Sequence, residues 1–235
     1  MQTTDIEYSF DGIRLVGELS VDDSRRGKRP AILVSHEGGG LTGHARNRAR
    51  ALAELGYAAF ALDYFGDGRP VAADQAAARF AELNGDRLRT RAIAQAGLDV
   101  LLGSEHADAG RVAAIGYCFG GTMSLELARG GADLQAVVGF HSGLATDRPA
   151  HAGSITAPVL VCIGAEDPFI PADQRLAFEE EMRGAGVDWR LNLYGGAVHS
   201  FTNPEADGSN PALKYDRRAD ERSWRAMLDL FSEVF

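Results

Sequence analysis

Five short apolar runs recur along this chain with longer, mixed segments between most of them: Ala31 to Ser35, Ala58 to Leu62, Val112 to Ile115, Ala136 to Phe140 and Val159 to Ile163. Each is continuously apolar, the reading of a strand buried on both faces. Parallel neighbours need crossover connections, and crossover helices cover both faces of the sheet they join. Segments near 43–55, 72–82, 86–103, 119–129, 172–184 and 212–232 supply helix candidates, and Trp189 to Tyr194 alternates in part as a last strand. Ahead of these, Ile6 to Phe10 and Ile13 to Leu19 face each other across Asp11-Gly12, a hairpin-turn dipeptide. The pattern predicts the α/β class: a mainly parallel sheet flanked by helices, with an N-terminal antiparallel hairpin, in one domain over 1–235.

Composition narrows the partners. With 45% hydrophobic and 24% charged residues the chain can build a substantial core. A formal charge of -9 disfavours nucleic acid and anionic membranes as partners, and the basic cluster of Arg25, Arg26, Lys28 and Arg29 reads as a solvated turn. No apolar run approaches the ~18 residues needed to span a bilayer. The acidic start, Met1 to Glu7, lacks a signal-peptide pattern. Two cysteines only, Cys118 and Cys162, fit free thiols in a reducing, cytoplasmic setting.

The strongest local signal is Gly116-Tyr117-Cys118-Phe119-Gly120-Gly121, between an apolar strand and a helical stretch. It has the form of a G-x-S-x-G nucleophile elbow with Cys in place of Ser. Such an elbow holds its nucleophile in a strained turn, and side chains at Gly116 and Gly120 would collide with nearby backbone. A helix N-terminus aimed at the sulfur favours thiolate. No serine in the chain has glycines in this arrangement.

Asp167 follows the strand ending at Ile163-Gly164, and His199 follows the last strand in Gly195-Gly196-Ala197-Val198-His199-Ser200-Phe201. Nucleophile, acid and base thus stand in the chain order of the α/β-hydrolase fold. His199 would take the thiol proton and Asp167 would orient the imidazole. Glu166 is a weaker competitor for the acid. His141 is the main rival to His199 and a pocket candidate, with His36, Tyr117, Phe201 and Asn203. His36 lies too close to the oxyanion loop to act as base, and His44, His106 and His151 have no supporting context.

These motifs resemble the dienelactone hydrolase (carboxymethylenebutenolidase) family, together with the Glu37 turn and Ala61-Leu62-Asp63-Tyr64-Phe65-Gly66. The resemblance runs over nearly the whole chain. It implies hydrolysis of an ester or enol-lactone without metal or organic cofactor, through an acyl-thioester on Cys118. It also implies that Glu37 contacts the resting thiol and controls its ionisation. The elbow geometry nominates the backbone N–H groups of Phe119 and Gly38 as oxyanion donors. Characterised members hold an anionic substrate with arginines, one of them four residues past the catalytic His, where this chain has Asn203. Arg69, Arg79, Arg87 and Arg89 occupy the segment of the other arginine without a clear match.

The expectation is therefore a cysteine hydrolase acting on a small ester or lactone, as a monomer or homodimer. A general short-chain carboxylesterase or thioesterase is the alternative within hydrolases. A non-catalytic binding protein of the same fold is the alternative outside them.

Overall fold

A computed structural model describes residues 1–235. The chain runs β1 (Gln2–Phe10), β2 (Ile13–Val21), β3 (Arg29–Ser35), α1 (Gly43–Glu54), β4 (Ala58–Leu62), α2 (Ala73–Gly85) and α3 (Arg87–Leu102). It continues with β5 (Ala107–Tyr117), α4 (Phe119–Arg129), β6 (Ala136–Phe140), β7 (Val159–Gly164), α5 (Ala172–Ala185), β8 (Trp189–Tyr194) and α6 (Arg217–Val234). The strands form one eight-stranded sheet in the order β1-β2-β4-β3-β5-β6-β7-β8. β3 to β8 are parallel, while β1 and β2 pair antiparallel and β2 joins β4 antiparallel. The hairpin turns at Asp11 and Gly12, both with positive φ, as a type I′ turn requires.

Side-chain alternation divides the core in two. Leu33, Phe60, Ala114, Val137 and Val161 enter one hydrophobic cluster with residues of α2, α3, α4 and α5. Their strand neighbours Ile32, Ala61, Ile115, Val138 and Cys162 enter another with residues of α1 and α6. Both faces are covered, which accounts for the continuous apolar runs. Burying side chains such as Leu33 and Phe60 fully is worth roughly 1.5–3 kcal/mol each. No helix is long and apolar enough to cross a membrane.

Two boundaries differ most from expectation. β5 begins at Ala107, earlier than its apolar stretch, because Ala107 pairs with Arg29 across a register shift. α6 begins at Arg217, not near 212, and is capped by Asp216, whose side chain accepts from the Ala219 N–H. Residues 212–216 instead form a turn and short bridge beside the loop after β8. His199 N–H donates to Ala212 O at 3.1 Å, Lys214 N–H to His199 O at 3.0 Å and Asp216 N–H to Phe201 O at 3.1 Å.

The sheet order also locates a crevice. β3 is followed on one side by β4 and on the other by β5, so the chain changes direction between β3 and β5. Ligands of open α/β sheets bind outside the carboxyl ends of strands at such a point.

Candidate active site

Glu37 and Gly38 leave β3 at that crevice, and Cys118 leaves β5 beside them. The Cys118 backbone has φ 55° and ψ -122°, a strained conformation for a non-glycine residue. Its surroundings hold it there. A Cβ on Gly116 would lie 2.1 Å from the carbonyl atoms of Gly120, and one on Gly120 would lie 2.2 Å from Ser35 O. The elbow therefore closes only with glycine at both places. Cys118 is the N-cap residue of α4, at the positive end of that helix's dipole.

The loop after β8 carries His199 to the same crevice. Its Nδ1–H donates to Asp167 Oδ2 at 2.7 Å, which leaves Nε2 free for a second partner. The carboxylate is fully shielded, and its other oxygen accepts from Phe169 N–H at 2.9 Å. Burial alone would lower the basicity of the imidazole. The Asp167 hydrogen bond and the interaction with the Cys118 thiol reverse this and raise its pKa to about 10. Glu166, the competing acid, is exposed.

Glu37 is engaged elsewhere than at the sulfur. Its carboxylate lies 3.3 Å from His44 Nδ1 and accepts from Asn203 Nδ2 at 3.3 and 3.4 Å. Burial pushes this carboxyl up, but the His44 and Asn203 contacts and the nearby His199 charge hold it below the usual carboxylate range.

Cys118, His199, Glu37, Gly38, Phe119 and Asn203 line one cavity of about 620 Å³. Phe80, Phe169, Ile170 and Leu213 form apolar wall, and Arg87 is its one guanidinium side chain. Gly38 N–H donates to no backbone carbonyl, and the N–H of Phe119 is the first of α4. A second cavity of similar size, lined by Arg14, Arg69 and Arg79, contains none of the triad candidates.

The other pocket candidates do not face this space. Tyr117 and Phe201 are buried in the core under the site, because side chains next to an outward-pointing residue point inward. His36 is fully buried and stacked on Tyr64, whose hydroxyl donates to His36 O. His141 supports the elbow: its Nδ1 accepts from Cys118 N–H at 3.1 Å, and its Nε2 meets Thr202 Oγ1 at 2.7 Å. Burial holds its pKa well below the ordinary histidine range, so it serves as a neutral strut. Nothing in the sequence pattern marked His44 or Thr202, whose partners are far away in the chain.

A model of the dienelactone hydrolase family matches residues 18–235. The chain belongs to the dienelactone hydrolase family.

A solved structure named m3DLH shares 47% identity, with a TM-score of 0.94, over 100% of this chain and 98% of that one. A dienelactone hydrolase-like promiscuous phosphotriesterase from metagenomic libraries shares 44% identity and the same TM-score, again over 100% and 98%. Among curated proteins, Protein usf of Aquifex pyrophilus is 25% identical over 233 residues, 97% of each chain. Membership makes this an α/β-hydrolase-fold enzyme, a hydrolase of carboxylic esters or lactones. At the position where the resemblance implies an arginine, this chain has Asn203, whose amide donates to Glu37.

Proposed function

We propose that this enzyme cleaves a small ester or enol-lactone by acyl transfer to Cys118, with His199 as base and Asp167 as its orienting acid. The carrying observation is the 2.7 Å bond from His199 Nδ1–H to Asp167, which leaves Nε2 for the sulfur within one cavity. His199 Nε2 takes the thiol proton as sulfur attacks the carbonyl carbon. The carbonyl oxygen gains the negative charge and is met by the N–H groups of Phe119 and Gly38, a donor worth about 2.7–4 kcal/mol in comparable sites. Collapse of the tetrahedral species breaks the C–O bond, and His199 returns the proton to the leaving oxygen. Water, deprotonated by His199, then attacks the thioester and regenerates the thiol. With an enol-lactone the leaving oxygen stays tethered to the acyl chain as an enol.

Intact-mass analysis of enzyme quenched during turnover tests this reading: an acyl adduct mapping to Cys118 is expected. Full activity of Cys118→Ala overturns it.

A neutral substrate is the second reading, favoured by one observation. Asn203 is neutral and spends its amide on Glu37, so the position four residues past the histidine offers no cation to a substrate carboxylate, and Arg87 is the one guanidinium in the cavity. Parallel assays on nitrophenyl acetate, an anionic enol-lactone and a neutral phosphotriester rank the possibilities. The last is included because one relative is named for that activity.

A further inference from the structure

A large aromatic side chain on the reaction cavity stands half in solvent, on a segment that is otherwise fixed. Phe169 keeps 54% of its surface exposed. Its backbone has little freedom. The Phe169 N–H donates to Asp167 Oδ1 at 2.9 Å, its carbonyl accepts from Gln174 Nε2 at 3.4 Å, and Ile170 N–H donates to Asp167 O at 3.3 Å. Pro168 and Pro171 bracket the segment with ring-locked φ angles, and the Ile170 side chain is wholly buried. Leaving so much apolar ring in water forgoes burial energy, and a ligand that covers the ring recovers it. Leu88, Leu176 and Leu193 are as exposed, but Phe169 borders the cavity that holds Cys118.

The neighbours of the ring set what it would meet. Phe169 packs edge-on against His199, with centroids 5.1 Å apart and planes at 84°. In the acyl-transfer reading, His199 returns a proton to the departing oxygen, so the group bonded to that oxygen lies on the His199 side. Phe169, Ile170 and Leu213 give that side an apolar surface, whereas α3 and α4 contribute Arg87 and Thr122 to the cavity. Phe80, the cavity's other exposed ring, packs on Phe119 instead.

We propose that Phe169 forms the leaving-group subsite and selects esters whose alcohol part carries an aromatic ring. The inference rests on the reading of Cys118 as nucleophile and His199 as its acid–base partner, and adds which end of the substrate lies where. In the step concerned, a bond forms between Cys118 Sγ and the acyl carbon, and the bond from that carbon to the ester oxygen breaks. The proton taken from the thiol passes from His199 Nε2 to the departing oxygen. The alcohol leaves past the Phe169 ring into solvent, while the acyl group stays on sulfur. Before it leaves, its aromatic ring makes an offset or edge-on contact with Phe169.

The test holds the acyl group constant and varies the alcohol. Full-length enzyme is assayed for kcat/KM on benzyl acetate and ethyl acetate. Their alcohols are of similar basicity and both leave the same acetyl-enzyme, so the ratio reports contacts to the alcohol part. We expect wild type to favour benzyl acetate by about 10-fold or more. Phe169→Ala should lower that preference by about 3- to 10-fold, and Phe169→Tyr should keep it. A second ratio, nitrophenyl butyrate over nitrophenyl acetate, varies the acyl part and should be equal in wild type and Phe169→Ala. Disturbance of His199 by the lost ring contact lowers both members of a pair alike and cancels in each ratio.

Absence of a benzyl preference in wild type, or an unchanged preference in Phe169→Ala, overturns the inference. So does a butyrate-to-acetate ratio that shifts as much as the benzyl-to-ethyl one, because Phe169 would then meet the acyl part. These failures leave Cys118 required for turnover. Wild-type rates on both acetates in Cys118→Ala would instead remove the nucleophile, so the two readings fail separately.

Discussion

The His199 imidazole and the Asp167 carboxylate meet at 2.7 Å, and the backbone of His199 is clamped between Ala212 and Lys214. Orientation of the base is therefore set twice, once through its side chain and once through its main chain. Asp167→Asn keeps the shape but offers an amide N–H toward Nδ1, which favours the tautomer with its proton on Nε2. That ring cannot accept from the thiol. Turnover of nitrophenyl acetate should fall about 10²- to 10⁴-fold. Wild-type turnover in this variant would sink the assignment.

The same pair makes stability depend on pH. The folded state raises the His199 pKa from 6.5 to about 10, so it favours the protonated ring. This contribution is complete below pH 6.5, declines as pH rises toward 10 and is absent above it. The difference in melting temperature between wild type and His199→Gln should therefore move in favour of the variant from pH 6 to pH 10. A difference that stays constant over that range would contradict the linkage.

Much of this arrangement was legible in the chain, for identifiable reasons. Apolar runs such as Ala58–Leu62 marked strands because helices cover both sheet faces. The elbow was legible because backbone crowding at Gly116 and Gly120 admits glycine only. The stretch 212–216 read as helix because its tie to His199 is a tertiary contact with no local signature. His44 was opaque for the same reason, since Thr202 lies 158 positions away in the chain. Tyr117 and Phe201 misled as pocket candidates through adjacency: sequence neighbours of a site residue commonly point to the opposite side.

Glu126 on α4 extends the site's support into the core. It is fully buried and pairs with Arg129 and Arg91, each at 2.9 Å, and lies 4.0 Å from cavity-lining Arg87. Arg129 is equally buried and also contacts Glu181 at 2.6 Å. Glu126→Ala leaves guanidinium charge uncompensated in the interior, which should cost about 3–5 kcal/mol in urea unfolding. A loss under 1 kcal/mol would mean that Glu181 alone satisfies Arg129.

Gly116 and Gly38 both border the site, yet substitution at each should have opposite outcomes. A Cβ at Gly116 meets Gly120 backbone at 2.1 Å, and neither segment can retreat without moving Cys118. Gly116→Ala should lose about 3 kcal/mol or more and its activity with it. At Gly38 nothing lies within 4 Å of the added methyl, and its φ is not in the left-handed region. Gly38→Ala should stay within about 0.5 kcal/mol of wild type, and it keeps the N–H that the oxyanion needs. Paired thermal melts and esterase assays decide the matter: equal stability of the two variants would show that the elbow tolerates a side chain, and the packing argument for its strained nucleophile would fail.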